Sequence, residues 1–102
     1  MAAYVISEVT ARDPEAFSNY RLHAQESIQQ HGGRYLVRGA QPELLEGERE
    51  PRMLVIVEFP SLDHARTWYR SAEYAVALQF RDQALSRILT LVDGVPASPG
   101  AP

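Results

Sequence analysis

The sequence predicts an α+β fold of the ferredoxin-like class, βαββαβ, with a four-stranded antiparallel sheet and its helices on one face. Two observations predict this order: four runs of β-branched and aromatic residues, and helix-start signals after the first and third of these runs. The length of 102 residues, with 45% hydrophobic and 23% charged residues, fits one globular domain with one modest core.

The first half of the chain predicts a strand, a helix and a second strand. Residues 4–9 combine β-branched and aromatic side chains, which favours a strand. Asp13 can cap the following helix, and Pro14 suits its first helical position. Apolar residues recur on one face of that helix, namely Phe17, Tyr20, Ala24 and Ile28. Gly32 ends the helix, and residues 34–38 form the second strand.

The second half repeats this order. Residues 53–59 are the clearest strand in the chain, and Ser61 can cap a helix directly after it. The apolar positions of that helix are Leu62, Ala65, Tyr69 and Ala72. Ser71 resembles a new cap, so the helix is expected to break there and a further helix to run from Glu73 to about Leu85. Residues 87–93 form the last strand.

We expect a single domain over residues 1–94 and a flexible tail over residues 95–102, which are rich in proline and glycine. The chain shows no signal peptide and no apolar run of about 20 residues, so a cytoplasmic protein that does not enter a membrane is the default. The net charge of −3 gives no indication of a nucleic-acid partner.

Composition excludes several chemistries. The chain has no cysteine, which excludes disulfides and a thiolate nucleophile. It has no lysine, which excludes a Schiff-base lysine and a Walker A loop. The histidines, at positions 23, 31 and 64, lack the spacing of a metal site, so we expect no metal and no bound cofactor.

Both faces of the predicted sheet are apolar, which predicts a homodimer. In the first strand, for example, Val5 and Val9 share one face whereas Tyr4 and Ile6 share the other. A sheet with one face in water shows a cleaner alternation of polar and apolar residues. The face without helices would expose a large apolar patch, so we expect two sheets to pack face to face. Strands one and three are expected to be central neighbours that run parallel.

Several segments together resemble one bacterial family of unknown function, DUF1330. They are Ala3-Tyr4-Val5-Ile6, Asp13-Pro14-Glu15-Ala16-Phe17, Gly32-Gly33-Arg34-Tyr35-Leu36-Val37-Arg38-Gly39, Leu45-Glu46-Gly47, Val57-Glu58-Phe59-Pro60-Ser61, Ala65-Arg66-Thr67-Trp68-Tyr69, Ser71-Ala72-Glu73-Tyr74 and Arg81. The resemblance runs from Ala3 to about Gly94 and implies the dimeric α/β-barrel superfamily. Relatives in that superfamily include cofactor-free monooxygenases, haem proteins similar to chlorite dismutase, and small isomerases. The family itself implies no reaction.

Four charged residues are predicted to share the sheet face opposite the helices: Glu8, Arg34, Arg38 and Glu58. If strands one and three run parallel, Glu8 and Glu58 end neighbouring strands and lie close together, with Arg34 near Glu58. Two carboxylates beside a guanidinium can act as an acid with a raised pKa and an anchored base. The alternative is a structural network of ion pairs at a strand end or a dimer rim.

Arg81 is expected to be buried, because it falls within the apolar arc of the last helix. A buried arginine without a partner is costly. Two partners therefore stay open: a carboxylate such as Glu58, or an anionic group of a ligand in a cavity.

Five polar-tipped aromatic residues can line a pocket for an apolar or aromatic substrate: Tyr20, His23, Trp68, Tyr69 and Tyr74. For each of them, core packing with a hydrated tip is the alternative. His23 is the best single acid–base candidate, with Glu58 as the second catalytic candidate, although a surface role for the histidine stays open.

Two functions follow from these residues. The first is a small-molecule enzyme or binder without a bound cofactor, with a pocket between sheet and helices near the dimer interface. Its reaction would be proton transfer to or from an activated aromatic or carbonyl compound, or oxygenation of one. The second is a non-catalytic dimerisation or stress-associated module with no small-molecule pocket.

Overall fold

A computed structural model describes residues 1–95, which form four strands and three helices. In chain order these are β1 (Ala3–Ala11), α1 (Pro14–Gln30), β2 (Arg34–Ala40), β3 (Met53–Phe59), α2 (Leu62–Tyr69), α3 (Ala72–Ala84) and β4 (Leu85–Asp93). The predicted α+β, ferredoxin-like order is confirmed. The predicted flexible tail lies outside the described residues, apart from Val95.

The strands lie in the order β2-β3-β1-β4, and every neighbouring pair is antiparallel. The expectation that β1 and β3 run parallel is wrong. The crossover through α1 returns β2 parallel to β1 with room for one strand between them. Because β3 fills that gap after reversing from β2, it runs antiparallel to both of its neighbours.

Three side-chain caps fix where the helices begin. Asp13 accepts a hydrogen bond from the Ala16 amide at 2.9 Å, and Ser61 accepts one from the His64 amide at 3.1 Å. The predicted break at Ser71 is confirmed, since its hydroxyl accepts from the Tyr74 amide at 3.1 Å and donates to the Trp68 carbonyl at 2.7 Å. This cap therefore holds the end of α2 and the start of α3 against each other.

The helices cover one face of the sheet, which we call the covered face. Its central residues are Val5, Ser7 and Val9 of β1, Met53, Val55 and Val57 of β3, and Arg87, Leu89 and Leu91 of β4. Trp68 anchors α2 here, with its ring centroid 5.2 Å from that of Phe59 and 4.1 Å from that of Tyr74. Its indole N–H donates to Ser27 at 3.0 Å, which connects α2 to α1.

Register shifts in β2 change which of its residues face the helices. Tyr35 lies opposite Val57, but Val37 lies opposite Ile56 and Arg38 opposite Val55. Each extra residue of a β-bulge reverses the alternation that follows it. Gly39 supplies the backbone for the second shift, with φ of +81°, a conformation that glycine adopts without strain. The expectation that Arg38 lies opposite the helices is therefore wrong.

The opposite side of the sheet, which we call the uncovered face, carries no helix within residues 1–95. Its residues are Tyr4, Ile6 and Glu8 of β1, Leu54, Ile56 and Glu58 of β3, and Ile88, Thr90 and Val92 of β4. Ile88 and Val92 are 47% and 43% exposed. A single copy of the chain thus leaves an apolar sheet surface open. In the same residues, no helix has the length and apolar character needed to cross a bilayer.

Candidate functional site

A cavity of about 230 Å³ lies between α1 and the covered face. Its floor consists mostly of valine and leucine side chains from β1, β3 and β4, and Trp68 forms part of its wall. The polar residues that line it are Ser7, Tyr20, Arg21, Tyr35, Arg38 and Arg87. A cavity of about 150 Å³ is enough for a benzene molecule, so this space can hold a small organic ring. Mostly apolar walls with a few polar groups are typical of ligand sites.

Arg87 is the central polar residue of this site. It is half-buried at the start of β4, opposite Val9 in the register. Its Nη2 donates to the Tyr74 hydroxyl at 2.7 Å, and its Nη1 donates to the Tyr20 hydroxyl. The two hydroxyl oxygens are themselves 2.6 Å apart. We call Tyr20, Tyr74 and Arg87 the arginine–tyrosine cluster.

The Tyr74 hydroxyl of this cluster keeps its proton and can act as a donor. Burial raises the pKa of Tyr74 far above its usual value, and the neighbouring Tyr20 raises it further, whereas Arg87 acts in the opposite direction. Tyr74 is fully buried, while Tyr20 lines the cavity. One of the two hydroxyl protons forms the hydrogen bond between Tyr20 and Tyr74, and the other is available for a different acceptor.

Arg87 carries its charge without a carboxylate beside it. Burial acts to lower the pKa of this guanidinium, but Tyr20 and Tyr74 raise it by a larger combined amount, so the residue stays protonated. None of the ion pairs within residues 1–95 includes Arg87. Two of its five N–H groups bond the tyrosines, which leaves donors for a further acceptor.

The opposite end of the cavity, at β2, is also polar. Arg38 stacks over the Tyr35 ring at 4.8 Å and donates to the Gln25 side chain of α1. Burial raises the pKa of Tyr35, while Arg38 and Arg21 act to lower it. Tyr35 therefore also serves as a neutral hydroxyl at neutral pH.

Four of the residues predicted from the sequence come together here. Tyr20, Trp68 and Arg38 line the cavity, and Tyr74 bonds Tyr20 and Arg87 at its edge. Arg38 reaches this site only because the bulges in β2 turn it toward the helices.

Three others lie on the uncovered face. Arg34 pairs with Glu58 at 2.9 Å, so the predicted proximity of these two is present in the structure. Glu8 instead pairs with Arg49 at 3.1 Å. The expectation that Glu8 and Glu58 lie close together is wrong, because β1 and β3 are antiparallel: Glu58 lies opposite Tyr4 and Glu8 opposite Leu54.

His23 and Arg81 also lie away from the cavity lining. The His23 ring stacks on Phe80 of α3, with centroids 5.5 Å apart. The Arg81 side chain is 41% exposed and lies 3.3 Å from Asp82, so the expectations that it is buried and that Glu58 is its partner are wrong. Arg81 lines an outer groove of about 370 Å³ together with Tyr69, and Arg87 borders both this groove and the cavity.

Sequence reasoning missed Arg87, although the sequence contains a signal for it. Arg87 alternates in phase with Leu89 and Leu91, which places an arginine on the apolar side of an apolar strand. Strand alternation places Arg87 on the apolar side more firmly than helical spacing places Arg81, since a helix flank can turn a long side chain toward water.

Within residues 1–95, no group of three or more histidine, cysteine, aspartate or glutamate residues lies close enough to hold a metal ion. The cavity lining also contains no carboxylate and no imidazole among the described residues. Its chemistry is that of hydrogen-bond donors and positive charge, which stabilises anions.

Three solved structures show what this fold is similar to. A protein of unknown function from Rhodopseudomonas palustris is 19% identical, with a TM-score of 0.74 over 93% of this chain and 83% of that one. SnoaB, a cofactor-independent oxygenase from Streptomyces nogalater, is 13% identical, with a TM-score of 0.65 over 96% and 97%. A dimeric protein of unknown function and ferredoxin-like fold from Bacteroides fragilis is 14% identical, with a TM-score of 0.56 over 91% and 96%. Identities this low establish the fold and not the activity.

No curated protein sequence matches the chain. The model of one protein family does match it, over residues 2–95, and that family is described as a domain of unknown function, DUF1330. The match spans nearly all of the 102 residues and includes every strand and helix described above. The chain therefore belongs to the DUF1330 family.

Proposed function

We propose that this protein binds a small organic acid, a phenol or enol of one or two rings, and holds its ionised oxygen at Arg87 without a bound cofactor. The observation that carries the proposal is the charge of Arg87, which borders a mostly apolar cavity and has no carboxylate partner within residues 1–95. A half-buried charge is stabilised when an opposite charge with good hydrogen-bond geometry joins it.

The tyrosines complete an oxyanion site. The two hydroxyls are hydrogen-bonded, and either one can be the donor. In the proposed site the fully buried Tyr74 donates to Tyr20, and Tyr20, which lines the cavity, directs its own proton at the ligand oxygen. This direction agrees with the raised pKa of Tyr74, because a hydrogen bond donated by the neutral hydroxyl favours the protonated form. The ligand oxygen then receives donors from Arg87 and Tyr20 together.

Ionisation of the ligand is the first chemical consequence. A guanidinium beside a phenol or enol lowers the pKa of that group, and the released proton passes to solvent. The anion that results is electron-rich, which prepares it for proton transfer at carbon or for reaction with O₂. The cavity therefore activates the ligand by electrostatics and needs no strong base in its lining.

Oxygenation is the reaction we favour after this activation. For a ligand whose keto tautomer carries a CH₂ group, the anion transfers one electron to O₂, and the radical pair then forms a C–O bond at that carbon and takes up a proton to give a hydroperoxide. Loss of water from the CH–OOH group leaves a carbonyl, so that a CH₂ group and O₂ become C=O and H₂O. The substrate supplies all of the electrons. Similarity of fold to a cofactor-independent oxygenase supports this choice over proton transfer alone.

The binding step can be tested with 4-nitrophenol, whose phenolate is yellow. At a pH just below the solution pKa of this probe, wild-type protein should increase the phenolate absorbance. Arg87→Gln should weaken binding by about 10- to 100-fold, since a hydrogen bond to a charged group contributes about 1.5–3 kcal/mol. Arg66→Gln is the matched control, because Arg66 lies on α2, pairs with the exposed Asp63 at 3.4 Å and is not among the described residues that line the cavity.

Two results would overturn the proposal. One is wild-type protein that leaves the absorbance of the probe unchanged, and the other is an Arg87→Gln variant that binds the probe as tightly as Arg66→Gln does. The non-catalytic module predicts the first result, and also no rise in unfolding temperature with any ring-shaped acid.

We further propose that two copies pair through the uncovered face. The support is the open apolar surface around Ile6, Ile56 and Ile88, together with the dimeric Bacteroides fragilis protein of similar fold. In such a pair each copy would hide the apolar patch of the other, which a single sheet cannot do.

Sedimentation tests this pairing. Wild-type protein at micromolar concentration should sediment with twice the mass of the 11.4 kDa chain. Ile56→Asp should sediment as a folded monomer, because Ile56 lies at the centre of the uncovered face. Val76→Asp is the control, since Val76 is 39% exposed on α3. A wild-type monomer, or a dimeric Ile56→Asp variant, would exclude this interface.

A further inference from the structure

Ser7 occupies the floor of the cavity, in the middle of β1, between Val55 of β3 and Leu89 of β4. Only 6% of the residue is exposed to solvent. Within residues 1–95, its hydroxyl makes no hydrogen bond, although it borders the cavity. The residue is therefore buried among protein atoms, while its hydroxyl faces the space a ligand would fill.

Ser27 shows how this chain treats a buried serine that has a structural role. Ser27 is 1% exposed, its hydroxyl donates to the Ala24 carbonyl at 2.8 Å, and it accepts from the Trp68 indole at 3.0 Å. Every polar atom of that side chain is thus used inside the fold. Ser7 has no comparable partner in the described chain, so protein packing does not account for its hydroxyl.

The surroundings of Ser7 make the hydroxyl more unusual. Its neighbours on the covered face are Val5, Val9, Val55 and Leu89. An alanine would give this floor an apolar side chain, whereas the serine presents to the cavity a hydroxyl that makes no hydrogen bond with a protein group in residues 1–95. A ligand in the cavity can supply that bond.

The register sets the distance between Ser7 and Arg87. Val9 lies opposite Arg87, and Ser7 lies opposite Leu89, so Ser7 and Arg87 occupy diagonal positions on neighbouring strands and share one face. Diagonal positions of an antiparallel pair lie roughly 7–8 Å apart at the backbone. Both residues line the same cavity, so one ring-sized ligand can contact both.

We propose that Ser7 is the second polar anchor of the cavity and donates a hydrogen bond to an acceptor across the ring from the ionised oxygen. This inference rests on the proposed function and narrows its ligand class. The ligand is a ring compound with an acidic hydroxyl at one end and a carbonyl at the other, such as a hydroxyaryl ketone or a cyclic enolised diketone. A site built to bond a carbonyl discriminates against an analogue that lacks it.

Two phenols of similar shape test the anchor: 4-hydroxyacetophenone, which has the carbonyl, and 4-ethylphenol, which lacks it. Dissociation constants are measured calorimetrically for wild type and for Ser7→Ala. The variant should bind 4-hydroxyacetophenone about 3- to 10-fold more weakly, because one neutral hydrogen bond is lost. It should bind 4-ethylphenol as wild type does. The decisive quantity is therefore the preference between the two probes, which is the ratio of their dissociation constants.

Ser27→Ala is the matched control for removal of a buried hydroxyl. It should lower the unfolding temperature and leave the preference between the phenols unchanged, because Ser27 is absent from the cavity lining. Ser7→Ala should leave the unfolding temperature of the ligand-free protein unchanged or raise it.

The outcomes separate this inference from the proposed function. If both phenols bind in an Arg87-dependent manner but Ser7→Ala keeps the wild-type preference, the anchor is wrong and the proposed function stands. If neither phenol binds wild-type protein, both fail together. A preference that falls in Ser7→Ala and persists in Ser27→Ala supports the anchor.

Discussion

On the uncovered face of the sheet, Glu58 and Glu8 each have an arginine beside them. On the covered face, Arg87 contacts two tyrosine hydroxyls and, within residues 1–95, no carboxylate. Arg34 lies 2.9 Å from Glu58, and Arg49 lies 3.1 Å from Glu8. Both of these arginines are largely exposed, with 71% and 78% of the side chain accessible. Arg87 is half-buried and borders the cavity.

The difference shows where a ligand is needed. Exposed ion pairs are balanced by each other and by water, so they neither require a further partner nor contribute much stability. A half-buried cation bonded only to neutral hydroxyls keeps an unbalanced charge, even though its donors are partly satisfied. The covered face therefore has the electrostatic character of a binding site, and the uncovered face has that of a surface for association.

The largest expected effect on the covered face is that of Trp68→Ala. Trp68 packs on Phe59 and Tyr74 and bonds Ser27, so its removal should lower the free energy of unfolding by about 3–5 kcal/mol. Denaturant titration measures this, and the loss should be the same at every protein concentration.

Ile88→Ala is the substitution on the uncovered face to compare with Trp68→Ala. Ile88 is 47% exposed within one chain, so its contribution to stability comes from association and should grow with protein concentration. If the losses caused by Trp68→Ala and Ile88→Ala depend equally on concentration, the two faces do not differ in the way described.

The next effect concerns the bond between Arg87 and Tyr74. A double-mutant cycle with Arg87→Gln and Tyr74→Phe should give a coupling energy of about 1.5–3 kcal/mol, as expected for a hydrogen bond from a charged group. Because the pair is shielded from solvent, the coupling should persist in 1 M salt. A coupling that disappears with salt would mean that Arg87 behaves as a surface charge.

Alkaline pH tests the same cluster through the ionisation of Tyr74. The pKa of Tyr74 is raised in the folded state, so the stability it contributes is complete below about pH 10 and is lost as pH rises from there toward the folded value. The loss amounts to at most about 1.4 kcal/mol per pH unit. The free energy of unfolding, measured between about pH 9 and 11.5, should fall less steeply with pH in Tyr74→Phe than in wild type. A variant as pH-sensitive as wild type would show that Tyr74 ionises normally.

The strand and helix order, the caps at Asp13, Ser61 and Ser71, and the second apolar face were all predictable from the sequence. These features depend on local chemistry and on the periods of strands and helices, which the sequence displays directly. The direction of β3 against β1 depends on the topology of the whole sheet. That single error placed Glu8 beside Glu58.

The site was less accessible to sequence reasoning for two physical reasons. The bulges in β2 reverse the facing of Arg38, and only Gly39 marks them in the sequence. The arginine–tyrosine cluster joins residues 54 and 67 positions apart, and such long-range contacts leave no local signal. Strand alternation alone, however, singles out Arg87.

The smallest expected effect is that of the ion pair between Arg34 and Glu58. A cycle with Arg34→Gln and Glu58→Gln, measured in the monomeric Ile56→Asp background, should give a coupling below about 1 kcal/mol, because water screens a pair in which one side chain is 71% exposed in a single chain. The coupling should decrease further in 1 M salt. Neither substitution should change the affinity for 4-nitrophenol, since both residues lie on the face away from the cavity. A loss of probe binding in Glu58→Gln would show that Glu58, the catalytic candidate predicted from the sequence, belongs to the binding site. The two faces would then not differ in the way described.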